Sequence, residues 1–344
     1  MYSDKHITSE EVTNLWVPKA LILVVLLAFA ASTLFGCGGG GGGTDQGAEQ
    51  PKDQFISIAT GGVAGTYYPL GGAMAEIFNA NVPGVNATAE TTNASVANVR
   101  LLEGNETEFA FIQNDISYYA LNGMEMFADG KVDILTGIAT LYPEVVQVVT
   151  LKDKGINSIE DLRGKKVAVG APSSGTEANA RQILAAYGMT FNDIKPDFLS
   201  FGEAASNMKD GHVDAAFLTA GLPTAAVTDL GATHNIKIIP LTAEAVATLG
   251  AEYPFYASFT IDGGTYAKEQ DAVLTVAVKA MLVASGSLSE DMVYNLTKAL
   301  FENLDKLAAA HQRGGDVGLD SANETMSLPL HPGAEKYFKE QGVL

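Results

Sequence analysis

Twice in this chain an apolar strand runs into a glycine-bounded loop that ends in Gly-Thr and opens a helix. The first copy is residues 55–60, then Gly61-Gly62-Val63-Ala64-Gly65-Thr66, then a helical stretch over 67–79. The second is residues 166–169, then Gly170-Ala171-Pro172-Ser173-Ser174-Gly175-Thr176, then a helix over 177–187. The first turn of a helix carries backbone N–H groups with no partner inside the helix, so each loop is a candidate anion cradle. Two cradles in one chain predict two similar lobes that face one ligand, an arrangement suited to capture rather than to catalysis.

A second echo follows in the same order. Leu101-Leu102-Glu103-Gly104 precedes the apolar run 108–113, and Asn207-Met208-Lys209-Asp210-Gly211 precedes 213–219. Both read as a helix end, a glycine cap and a short buried strand that stops at a polar residue.

Hydrophobic content of 47% and charged content of 18% over 344 residues point to a globular body with room for two cores. The apolar alternation predicts strands at 55–59, 88–91, 109–112, 145–151, 167–170, 197–199, 215–218, 237–240 and 256–261. Between them it predicts helices at 67–79, 95–102, 158–162, 177–187, 203–209, 222–230, 241–249, 290–301 and 303–310. That order is α/β, sheets covered by helices.

The N-terminal part differs. Residues 20–31 form an apolar run that is short for a membrane span and suits the core of a signal peptide. It ends in Leu34-Phe35-Gly36-Cys37, which resembles a bacterial lipobox and marks Cys37 for lipidation. Asp4, Glu10 and Glu11 ahead of the run are foreign to a basic signal start, so translation is expected to begin downstream of Met1. Residues 1–36 are thus read as a lipoprotein signal and 37–53, with its six consecutive glycines, as a flexible tether. The expected location is extracytoplasmic, in the periplasm or at the cell surface, lipid-anchored to a membrane. With Cys37 the only cysteine, no disulfide is expected. A net charge of −19 disfavours nucleic acid and anionic lipid surfaces. It also means that an anionic ligand has to be held by local N–H groups.

Several separated stretches together resemble the TAXI family, the solute-binding subunits of one branch of the TRAP transporters. They are residues 60–72, Asn93-Ala94-Ser95-Val96-Ala97-Asn98, Gln113-Asn114-Asp115, Leu141-Tyr142-Pro143-Glu144, residues 170–177 with Asn179-Ala180-Arg181, Thr219-Ala220-Gly221-Leu222-Pro223, and Leu328-Pro329-Leu330-His331-Pro332-Gly333-Ala334. The resemblance covers residues 56–342. It implies a two-lobed type II periplasmic-binding-protein fold with a ligand cleft between the lobes. It also implies a small carboxylate ligand, such as glutamate or a C5 dicarboxylate, and a TRAP-type membrane permease as partner. In that fold the chain is expected to cross near residues 150 and 255, giving lobe I as 54–150 with 256–344 and lobe II as 151–255.

The candidate ligand-binding residues follow. Gly65, Thr66 and Tyr67 form the first cradle; Ser173, Ser174, Gly175 and Thr176 form the second. Each loop is also readable as a plain helix cap. Asn93 and Ser95 follow a strand and precede a helix, which suits either capping or ligand contact. Gln113 and Asn114, and Thr219, Ala220 and Gly221, end the paired buried strands, where α/β crevices form. Tyr142 lies near an expected crossing as an aromatic wall, whereas Tyr256 and Arg181 are read as structural.

Enzyme signatures are missing from the sequence. His6, His212, His234, His311 and His331 have no metal-ligand spacing, Ser173 and Ser174 sit in no GxSxG elbow, and there is no phosphate-binding GKS/T. No catalytic residue, metal or cofactor is expected. A Ser/Thr-dependent hydrolase and a sensory surface lipoprotein on the same fold remain open as alternatives.

Overall fold

The computed structural model describes residues 54–266 and 271–344. The expected signal and tether, residues 1–53 with Cys37, lie outside the described residues. The elements run β1 (Gln54–Ala59), α1 (Tyr67–Asn81), β2 (Val85–Glu90), α2 (Ser95–Glu103), β3 (Phe109–Gln113), α3 (Asn114–Asn122) and β4 (Leu135–Leu151). They continue with β5 (Lys166–Ala168), α4 (Gly175–Ala186), β6 (Lys195–Asp197), α5 (Phe201–Lys209), β7 (Ala215–Ala220), α6 (Ala225–Gly231), β8 (Ile236–Ile239) and α7 (Ala243–Glu252). Last come β9 (Ala257–Ile261), β10 (Val273–Ser285), α8 (Glu290–Phe301), α9 (Leu304–Ala310) and α10 (Pro332–Gln341).

Local chemistry sets the helix ends. Ser200 and Glu203 form a reciprocal capping box at the start of α5. His331 accepts the Gly333 N–H at 3.2 Å and Pro332 opens α10, which stops at Gly342 with φ of 72°. In α1, Leu70, Met74, Ile77 and Phe78 recur at helical spacing and are buried. Gly71 lets that helix lie close on β1, because a Cβ there would fall 2.4 Å from the Thr60 methyl.

The duplicated layout seen in the sequence is present in the sheet. Strand order is β2-β1-β3-β10-β4-β7-β5-β6, with β8 paired to β4 and β9 to β10. β1 pairs in parallel with both β2 and β3, as β5 does with both β6 and β7. Each βαβαβ unit then meets one antiparallel strand, β10 beside β3 and β4 beside β7. β4 and β10 pair along their length, from Ala277 opposite Val145 to Ser285 opposite Leu135.

The apolar core divides accordingly. One half gathers β1–β3, α1–α3 and α8–α10 with Ile138–Tyr142 side chains of β4 and 280–284 of β10. The other gathers β5–β8 and α4–α7 with residues 145–151 of β4 and 273–278 of β10. The apolar core thus divides along these two long strands, near residues 143 and 279. β10, the first part of β4, α3 and α10 were not anticipated from sequence. A strand buried on both faces loses the period of two that would mark it.

Candidate functional site

Four helix N-termini converge on one cavity, two from each half. α1 brings Gly65, Thr66 and Tyr67, and α2 brings Asn93, Ala94 and Ser95. α4 brings Ser174, Gly175 and Thr176, and α5 brings Ser200 and Phe201. Strand ends complete the wall with Gln113 of β3, Glu144 of β4, and Thr219 and Ala220 of β7. The cavity has about 60 Å³ of room for water centres, which suits a small solute.

The caps differ in a way that matters. The Ser174 hydroxyl accepts the Glu177 N–H at 3.1 Å, an ordinary N-cap. Thr66 makes no such cap on α1; its Oγ1 accepts the Gly221 N–H at 3.1 Å, a bond from one half to the other. Ala94 likewise gives α2 no side-chain cap, and Ser95 Oγ instead accepts the Gln113 N–H at 3.2 Å. The first turns of α1 and α2 thus face the cavity without a side-chain acceptor of their own.

Direct bonds close the two halves on each other. The Ala97 N–H donates to the Ser173 carbonyl at 2.9 Å. Gln113 Nε2 donates to Asn179 Oδ1 at 3.0 Å, and Asn179 Nδ2 donates to Asp115 Oδ2 at 3.0 Å and to the Tyr256 hydroxyl at 2.8 Å. The Tyr256 hydroxyl donates to Gln182 Oε1 at 2.7 Å, and Gln182 Nε2 donates to the Tyr119 hydroxyl at 3.1 Å. Burial pushes the Asp115 carboxyl up to about 6, even though the Ile116 N–H and Asn179 oppose the shift.

Glu144 is the one carboxyl side chain among the described residues of the lining, which hold no Lys, Arg or His, and it is buried. The Tyr67 hydroxyl donates to its Oε2 at 2.6 Å and lies 3.5 Å from Ser95 Oγ. Burial pushes the Glu144 carboxyl up to about 8; the Tyr67 bond draws it down and the Asp115 charge adds to the rise.

Of the residues expected at the site, Gly65, Thr66, Tyr67, Asn93, Ser95, Gln113, Ser174, Gly175, Thr176, Thr219 and Ala220 line this cavity. Four others do not. Asn114 caps off behind it, its Oδ1 accepting the Lys279 N–H at 3.0 Å. Tyr142 is fully buried in the apolar core of the first half. Ser173, left-handed at φ of 61°, is exposed and lines a neighbouring groove with Arg181. Gly221 serves as the partner of Thr66. Arg181 pairs with Glu177 at 2.7 Å and lies over the Phe191 ring, away from the cavity.

Gly61, Gly62 and Ala171 of the two loops also line the cavity, as do Thr92, Ala94, Glu144, Ser200 and Phe201, which are not candidate ligand-binding residues from sequence. For Glu144 a signal existed: in a strand, residues two apart share a face, so a wall predicted at Tyr142 extends to Glu144. Among the described residues no histidine lines the cavity, no cluster of His, Cys, Asp or Glu could hold a metal, and no helix is long and apolar enough to cross a membrane.

Paired βαβαβ units joined by two shared antiparallel strands, with helix N-termini of both units around one cleft, make up the two-lobed type II periplasmic-binding-protein fold. The chain belongs to the NMT1-like family, whose model matches residues 58–342. A protein from Bordetella bronchiseptica RB50 shares the fold at a TM-score of 0.52 and 18% identity, over 83% of this chain and 82% of that one. Lower scores relate the chain to two other solved structures. The putative L-cystine ABC transporter from Listeria monocytogenes scores 0.48 at 15% identity, over 78% of this chain and 98% of that one. The periplasmic aliphatic sulphonate binding protein SsuA from Escherichia coli scores 0.43 at 15% identity, over 83% and 78%.

Proposed function

We propose that the protein is an extracytoplasmic solute-binding lipoprotein, anchored through Cys37, that captures a small carboxylate and delivers it to a TRAP-type membrane permease. The ligand class is a glutamate-like amino acid or a C5 dicarboxylate. One observation carries the reading: helix N-termini from both halves line a single small cavity. A carboxylate there receives backbone N–H groups and the positive ends of helix dipoles from both sides. The two core halves act as lobes about β4 and β10, and a ligand that touches both stabilises the closed arrangement over open ones. Fifteen positions, Gly65, Thr66, Tyr67, Asn93, Ser95, Gln113, Asn114, Tyr142, Ser173, Ser174, Gly175, Thr176, Thr219, Ala220 and Gly221, were expected at the site; those that line the cavity are the proposed contacts. The TRAP-type partner and the lipid anchor rest on the sequence resemblance and the lipobox.

A thermal-shift screen of short carboxylates, amino acids and sugars, followed by calorimetry on the hits, tests the ligand class. Stabilisation by short carboxylates is expected, and a response to sugars alone overturns it. Mass spectrometry of the membrane fraction tests the anchor: processing anywhere other than before Cys37 overturns that part.

A further inference from the structure

We propose that Glu144 is the receptor for a cationic nitrogen on the ligand, so that the cleft selects an ammonium-bearing carboxylate over the same acid without its amine. The inference rests on the reading of the cavity as a carboxylate-binding cleft, and adds a second recognition element of opposite sign.

The carboxyl of Glu144 is buried, and a buried charge is costly unless something pairs with it. Among the described residues no cation faces it. The ionisable groups that face it are Tyr67 from α1, Tyr142 from its own strand and Asp115 from α3, all neutral or negative. Lys279, on the adjacent strand, lies 3.9 Å from Glu324 and belongs to a different groove, with Asn114 and Phe255. Tyr67 occupies only Oε2, and no hydrogen bond within the described chain reaches Oε1. An acid with one oxygen held in place, one oxygen unused and its residue on the cavity wall is oriented for a donor that comes with the ligand.

The surrounding polar atoms are of the matching kind. An ammonium has three N–H donors and no acceptor. Gln113 Oε1 and Thr219 Oγ1, two buried oxygens on residues that line the same cavity, have no hydrogen-bond partner among the described residues. Thr219 opposes Val146 in the β4–β7 ladder, which puts its side chain on the sheet face that carries Glu144. A ligand with carboxylate oxygens alone brings no donor for Gln113 Oε1, an acceptor only, and no cation to draw the proton off Glu144.

The test compares matched pairs by calorimetry on the full chain: L-glutamate against glutarate, and L-norvaline against valerate, with butylamine as the amine lacking an acid. The wild-type protein is expected to bind the amine-bearing member of a pair on the order of a hundredfold more tightly. Glu144→Gln, which keeps an oxygen for the Tyr67 bond, is expected to erase that ratio while binding the plain acid at least as well. A second readout needs no variant. At pH 7 the carboxyl, at about 8, holds its proton until a cation arrives. Binding of the amine should therefore release about one proton, seen as a buffer-dependent heat, and binding of the plain acid should release none. Equal wild-type affinities within each pair, or a ratio retained in Glu144→Gln, would overturn the inference and leave the carboxylate cleft standing. Binding of butylamine without any acid would overturn the carboxylate reading and leave Glu144 as a cation receptor. No binding of any of the five overturns both.

Discussion

Asn179, in the second half, donates its side-chain N–H to the Asp115 carboxylate of the first half at 3.0 Å. The same amide accepts from Gln113 and donates to Tyr256, so its donors and acceptor are all in use. Truncation to alanine strands polar groups of both halves in a buried place, at about 1–3 kcal/mol for each group left unpaired. Asn179→Ala is expected to weaken ligand affinity at least tenfold, because the closed arrangement loses its bonds while open ones do not. Calorimetry on the two proteins checks this, and unaltered affinity would show that the network does not bias closure.

Gly175 lies close against Gln113 of the other half. A Cβ at that position would fall 1.4 Å from Gln113 Oε1. Gly175→Ala should therefore hold the cleft apart and lower affinity by a hundredfold or more, with each half still folded. Adding Gln113→Ala should recover part of the loss, since the clash is then gone. A double variant no better than the single one would place the defect elsewhere.

Stability should depend on pH in a stated direction. The folded protein holds the Asp115 carboxyl at about 6, against 3.8 in an unconstrained chain. Between those values the unfolded chain has released its proton and the folded one has not. Stability contributed by the protonated group is thus complete below pH 4 and is lost as pH rises through about 6, by about 3 kcal/mol. Glu144, held at about 8, acts with the same sign over a wider window. Thermal unfolding across pH 4–8 should show falling stability, and Asp115→Asn should flatten the acidic part of that slope. A slope of the opposite sign would refute the assignment.

Ala94 stands at φ of 71° and ψ of −150°, a conformation suited to glycine, at the start of α2 and on the cavity wall. Its N–H is held by Thr92 Oγ1 at 2.9 Å. Ala94→Gly removes the Cβ strain at the cost of a freer unfolded chain, and about 1 kcal/mol of net stabilisation is expected. A thermal midpoint raised by a few degrees would support this; a lower midpoint would show that the alanine methyl packs usefully.

Much of the site was readable because its parts are local. Gly65-Thr66, Ser174-Gly175-Thr176 and Asn93-Ala94-Ser95 announce helix starts through residue types whose effects span one turn. The polar ends of β3 and β7 announced Gln113 and Thr219 through the break in an apolar run. Glu144 is legible only indirectly, through Tyr142 two residues away on one strand face; that it is buried with no cation facing it among the described residues is a property of the packing around it. β10, read as Val273 to Ser285, is almost continuously apolar, and such a run has no period to separate strand from helix.

The sequence alone determined the α/β order, the doubled strand–loop–helix layout and most residues of the two cradles, because caps, glycine turns and hydrophobic alternation act over a few residues. Only the tertiary structure decided where the halves divide and which helix ends share one cavity. Both depend on β4 pairing with β10, more than a hundred residues apart in the chain. It also decided the state of Glu144 and Asp115, because desolvation is a property of everything packed around a group and not of its neighbours in sequence.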